Sequence, residues 1–351
     1  MNAKLQKIRE IIAQKGVGGT LIERQNNFSW LTGGRGFIGL ASEVACGAVL
    51  VTKDKACLVA NNIEITRLID EETSACDEIV PLSFLWHEES NRSEIIKQSA
   101  GGEILTDTQL AAEFFEMRTV LDSDEITFFS EFSVQAANIL EDAVKNVKVG
   151  MSEFELAGEI SHGLWNAEIE PITLLIAFDD RTFKYRHFLP TANKLKNYAI
   201  ASICARKGGL IVSATRSVYL NGQIPDEITQ KYQQLSKVYA NLVNNTKPGA
   251  KLSALFESIK ADYASCGYSG EENLHHQGGM TGYVARELRA MPGVDYIAKA
   301  NQAYAWNPTI TGTKLEDTII IKDSGFDILT HTGNYEYFEI DGVKIPKIIN
   351  L

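Results

Sequence analysis

The chain has 351 residues, of which 44% are hydrophobic and 23% charged, and carries a formal net charge of −11. That length suits two domains of ordinary size. The acidic balance argues against a nucleic-acid partner, which needs clustered Lys and Arg, and no apolar run is long enough to span a bilayer, so no membrane association is expected.

The opening MNAKLQKIREII reads as an amphipathic helix, with Leu5, Ile8, Ile11 and Ile12 on one face. It lacks the apolar stretch of a signal peptide, and a cytoplasmic location is the expectation. VGGTLIE reads as a strand and NNFSWLTGG as a loop that closes with glycines. Cys46–Ala60 has two apolar runs joined by Thr52–Lys55, a hairpin pattern. Asn61–Asp70 looks helical, and Glu78–Ser83 and Glu103–Thr106 are strand candidates. This alternation predicts a three-layer α/β domain. GGRG at Gly33–Gly36 is a loop without a phosphate-binding pattern. The five cysteines form no C-x-x-C pair, which fits free buried thiols in a reducing compartment.

Asp122-x-x-Glu125 is a capping box that opens a long helix over Ser123–Val147, with Ile126, Phe129, Phe132, Ala136 and Leu140 on one side. A second box, Ser152-x-x-Glu155, follows Gly150. The domain boundary is placed near Arg118, giving domains 1–118 and 119–351. Strands PITLLIAF, YAIASICA and GLIVSATRSVYL come next, then helices near Asp226–Asn245 and Leu252–Cys266. From Tyr304 the chain is strand-rich.

The segment Leu274–Glu287, LHHQGGMTGYVARE, has His275, Gly278 and Gly282 in a spacing that ends on Arg286-Glu287. It resembles a segment of the pita-bread metallohydrolases: methionine aminopeptidase, aminopeptidase P, prolidase and their metal-free relative creatinase. NNFSWLTG after the first strand and VKVGMSEFEL between the long helices are similar to phrases of the same superfamily. The resemblance implies an α+β architecture. A pita-bread C-terminal domain would follow a smaller, three-layer α/β creatinase-type N-terminal domain, and the protein would be a homodimer.

In the metalloenzymes of this superfamily Asp, Asp, His, Glu and Glu hold two divalent ions. Thr215-Arg216, with Gly209 upstream, matches the Asp-x-Thr-Arg motif, which puts the second aspartate position at Ser213. The first lies eleven residues earlier, at Ser202. The histidine position is Gly279. The glutamate that precedes a proline is Asn307 in AWNPTITG, and Glu316 in KLEDTIII is the one ligand retained. Two dications about 3.5 Å apart repel by roughly 19 kcal/mol at an effective dielectric near 20, and Glu316 alone cannot offset that. Asp317 is no substitute, because neighbours on a strand face opposite sides. No metal and no other cofactor is therefore expected, unless His276 or Glu287 were recruited as ligands.

His187, in YRHFLPT, is placed like the superfamily's substrate-handling histidine, which does the proton transfers in creatinase, and His275 like a second one. The catalytic candidates are His187, His275 and Glu316. Arg286 and Arg216 could hold a substrate carboxylate, with Glu287, Tyr283 and Trp306 as further candidates for the substrate pocket. Thr215 and Asn307 are neutral where creatinase holds its guanidinium-like group with glutamates, which speaks against creatine as substrate. His87, His162 and His331 have no partner in any motif. The leading expectation is a metal-independent hydrolase of a C–N bond in a small polar compound. The alternatives are a catalytically inactive homologue that binds a small molecule or short peptide, and a metal-dependent Xaa-Pro peptidase using manganese or cobalt.

Overall fold

The computed structural model describes residues 3–76 and 78–351. The chain divides into two units, Met1–Thr119 and Val120–Leu351.

The first unit runs α1 (Ala3–Lys15), β1 (Gly19–Arg24), α2 (Gln25–Thr32), β2 (Val44–Thr52), β3 (Ala56–Asn61), α3 (Ile65–Glu72), β4 (Ile79–Phe84), α4 (Glu89–Ala100), β5 (Ile104–Thr106) and α5 (Ala111–Thr119). The sheet order is β4-β3-β2-β1-β5. The hairpin β2–β3 is antiparallel and turns at Thr52–Lys55. Alternate residues of the strands, Leu21, Ala48, Leu50, Cys57 and Val59, pack with Ile96 of α4 on one face. Val49, Val51 and Leu58 point to the other face by the two-residue period and are also fully buried. A Cβ on Gly47 would meet Leu68 of α3, so α3 lies on that second face. Helices thus cover both faces of the sheet, which makes three layers.

One expectation fails here. NNFSWLT is the helix α2 rather than a loop. Burial of Phe28, Trp30 and Leu31 outweighs the weak helix propensity of the asparagines. The glycines still end it: Gly33 takes φ 76° and its N–H caps Ser29 O.

The second unit opens on α6 (Ser123–Lys145) and α7 (Glu153–Asn166). Both capping boxes are formed, Asp122 with Glu125 and Ser152 with Glu155. Then come β6 (Glu170–Phe178), a short α8 (Arg181–Lys184), β7 (Tyr198–Lys207), β8 (Leu210–Tyr219), α9 (Asp226–Asn245) and α10 (Leu252–Ser265). The remaining strands are β9 (Gly278–Thr281), β10 (Leu288–Arg289), β11 (Ala303–Trp306), β12 (Thr309–Ile310), β13 (Thr313–Lys314), β14 (Asp317–Ile321), β15 (Phe326–Ile328), β16 (Tyr337–Ile340), β17 (Val343–Pro346) and β18 (Ile349–Asn350).

Two sheets carry the unit. One has the order β18-β8-β7-β6 and the other β10-β9-β11-β14-β15. They meet where Thr215 bridges Glu316, with Thr215 N donating to Glu316 O at 2.8 Å. Two further bonds tie Ser213 to Thr318: Ser213 N to Thr318 Oγ1, and Thr318 Oγ1 to Ser213 O, each 2.9 Å. This seam brings residues far apart in the chain onto one cradle. Among the described residues, no helix is long and apolar enough to cross a membrane.

Candidate active site

The cradle begins with register. In the β7–β8 ladder Ser202 lies opposite Thr215 and Cys204 opposite Ser213. Directly opposite and two-apart residues share a face, so all four side chains point the same way. Ser202 Oγ lies 2.7 Å from Thr215 Oγ1, and Thr215 Oγ1 donates to Glu316 Oε2 at 3.1 Å. Asn307 follows β11, and its N–H is held by Gln277 O. Ser202, Ser213, Asn307 and Glu316, four of the five positions that the family resemblance assigns to metal ligands, thus lie on one cradle.

The chemistry at those positions differs. Arg286 reaches across them: its guanidinium lies 2.7 Å from Glu316 Oε1, 3.2 Å from Asn307 Oδ1 and 3.4 Å from Ser213 Oγ. Lys314 Nζ sits 3.0 Å from Glu316 Oε2. One buried carboxylate thus serves two nearly buried cations. Burial by itself would raise the Glu316 carboxyl; Lys314 and Arg286 together outweigh it and hold the group below the usual carboxylate range. Gly279 offers no ligand atom, and a Cβ there would stand 2.0 Å from Leu288 O, so β10 fills the space a side chain would need. The residues at these five positions do not fit a pair of divalent ions.

Three histidines stand beside this cluster. His187 Nε2 and His275 Nε2 are 3.0 Å apart, so one carries the proton and the other accepts it. His276 stacks on His275 with ring centroids 4.7 Å apart. Burial, then the charge of Lys314, pushes His275 down to about 2. Burial and Arg286 push His276 down to about 4. His187 is also lowered, by burial first and then by Lys314. All three imidazoles are thus neutral at pH 7. Among the described residues they are the one group of His, Cys, Asp and Glu whose ligand atoms could converge on an ion, all within 4.8 Å of one another. The cations that repel protons from these rings repel a dication as well.

A cavity of about 260 Å³ opens onto this cluster, lined by His187, His276, Arg286, Lys314, Glu316 and Asn307 among others. Ser202 lies on its wall, while His275 stands behind His187. Several sequence candidates lie elsewhere. Arg216 is fully buried, donates to Glu141, to Asp317 and to the carbonyls of Thr215 and Thr330, and does not line the cavity. Asp317 faces away from Glu316, as strand alternation requires. Trp306 is core, stacked on Tyr304, and Tyr283 donates its hydroxyl to Glu125 on α6. Neither lines the cavity, and nor does Glu287. Lys314, Arg289 and Cys204 line it and were not singled out from the sequence. Lys314 was legible, standing two residues before Glu316 where side chains converge on one side. Arg289 carried no comparable signal.

Comparison with known proteins places the chain in a family. Residues 130–323 match metallopeptidase family M24, and residues 4–131 match the creatinase/prolidase N-terminal domain. An uncharacterized peptidase of Bacillus subtilis, YqhT, is 24% identical over 94% of this chain and 98% of its own length. A Xaa-Pro dipeptidase of Pyrococcus horikoshii is 23% identical over 95% and 98%. The crystal structure of the prolidase from Pyrococcus horikoshii OT3 superposes with a TM-score of 0.78 at 20% identity, covering 94% of this chain and 99% of that one. The chain therefore belongs to metallopeptidase family M24, with the pita-bread fold behind a creatinase/prolidase-type N-terminal domain.

Proposed function

We propose that this protein is a hydrolase of the creatinase/prolidase type that cleaves a C–N bond in a small polar compound without divalent metal. The observation that carries the reading is the 3.0 Å contact between His187 and His275, beside a cradle whose carboxylate is already engaged by Arg286 and Lys314. A neutral His187 takes a proton from the attacking water and returns it to the leaving nitrogen, while the water oxygen bonds to the carbon. His275 orients His187 through the shared Nε2 proton. A histidine acting this way contributes ~10²–10⁴ in rate. Arg286 and Lys314 supply positive charge where negative charge develops on the substrate. The test is a time-resolved metabolite screen, followed by His187→Ala on whatever compound is consumed. Loss of turnover with an intact fold supports the reading; unchanged turnover rejects it.

A second reading is favoured by the same occupied carboxylate: an inactive homologue that binds a small molecule or short peptide. It expects binding without consumption at any pH. The likeness to the Xaa-Pro dipeptidase of Pyrococcus horikoshii favours a third, a metal-dependent Xaa-Pro peptidase, which expects cleavage stimulated by manganese or cobalt.

A further inference from the structure

The cavity's charge does not balance. Its lining holds three cations, Arg286, Arg289 and Lys314, against one carboxylate, Glu316. Arg286 and Lys314 are nearly buried and share that carboxylate. Buried charges are ordinarily paired one to one, because an unpaired ion loses its hydration without compensation. Arg286 Nε, in addition, is buried with no hydrogen-bond partner. Arg289 is exposed at the same cavity and has no ion pair or hydrogen bond from its side chain among the described residues. The neighbouring histidines are held neutral, partly by these cations, so they add no charge of their own.

The position of Arg289 is built rather than incidental. It pairs with Gly279 across β9–β10, and a Cβ on Gly279 would lie 2.8 Å from Arg289 Cα. A side chain at 279 would push this strand away. The glycine that removes a metal ligand therefore also lets the strand bearing Arg289 close in on the cavity.

We propose that the pocket takes a small compound with two carboxylates, one set against Lys314 and Arg286 inside and the second held by the guanidinium of Arg289 at the mouth. This rests on the cavity being the ligand site, as the proposed function has it, but not on turnover. A guanidinium holds a carboxylate through two parallel N–H donors, which gives direction as well as charge. Cationic and zwitterionic compounds of the same size are selected against.

Isothermal titration of the full chain with malonate, succinate, glutarate, butyrate, putrescine and inorganic phosphate tests this. At least one dicarboxylate should bind roughly tenfold or more tighter than butyrate, the size of one charge-assisted contact. It should weaken with added salt. Arg289→Gln should bring that dicarboxylate down to the level that butyrate shows in the same variant, while Arg289→Lys retains part of the difference. The proposal is overturned if no dicarboxylate exceeds butyrate, if putrescine or phosphate binds as tightly as the best dicarboxylate, or if Arg289→Gln changes nothing. Dicarboxylate binding without hydrolysis of any related amide would remove the hydrolase reading and leave this one. Hydrolysis of a neutral or cationic compound, with the dicarboxylates silent, would do the reverse.

Discussion

Arg286 and Glu316 face each other at 2.7 Å, and Lys314 closes on the same carboxylate from its other oxygen. Substituting Glu316 by Gln would leave two buried cations with no anion between them. Breaking a buried pair by removing one partner typically costs ~3–5 kcal/mol. Urea denaturation of Glu316→Gln should show a loss of that order, with an unchanged slope. A loss near zero would mean that the pair is solvated and the cradle open.

The family resemblance puts the metal-binding histidine at Gly279, and the backbone there has no room for a side chain. Restoring the residue type should therefore not restore the site. Gly279→His is expected to lower the melting temperature by clashing with Leu288 O, and to gain no affinity for manganese. A stable variant that binds the ion would show that β10 yields easily.

Arg216 is a structural cation. Its four bonds, to Glu141, Asp317, Thr215 O and Thr330 O, tie α6 to β8 and β14. Arg216→Met should destabilise the fold by about 3–5 kcal/mol in chemical denaturation, because Glu141 and Asp317 would be left buried together. Ligand affinity measured well below the melting temperature should be unchanged.

Acid should unfold this protein through its histidines. The folded chain holds His275 down to about 2, and His276 and His331 down to about 4, chiefly through burial. The unfolded chain protonates them near their ordinary value of about 6.5. Below that pH the unfolded state binds more protons, so stability falls as pH falls, from about 6.5 down to about 4 for His276 and His331 and on to about 2 for His275. Each histidine contributes at most about 1.4 kcal/mol per pH unit in that window. Melting temperature against pH should decline there, and less steeply in His331→Gln. A flat profile would mean that these rings are protonated in the native state.

Local rules made much of this legible in the sequence. Both capping boxes, the β2–β3 hairpin and the separation of Glu316 from Asp317 follow from spacing alone, and the fold followed from the Leu274–Glu287 segment. What spacing does not carry is the partner across space. Arg216 read as a substrate clamp because its partner Glu141 lies 75 residues away. Tyr283 and Trp306 read as wall or core alike, because an aromatic side chain suits a pocket and a core equally well. NNFSWLT read as a loop because burial, not propensity, makes it helical. Arg289 was invisible because its proposed role turns on its having no ion pair among the described residues.

The most direct measurement is elemental analysis of the purified full chain, before and after incubation with manganese. A cradle held by Arg286, Lys314 and Glu316 predicts no stoichiometric divalent metal in either sample, and no gain in any activity the protein has. One or two ions per chain, lost on substitution of Glu316 or of His276, would contradict it.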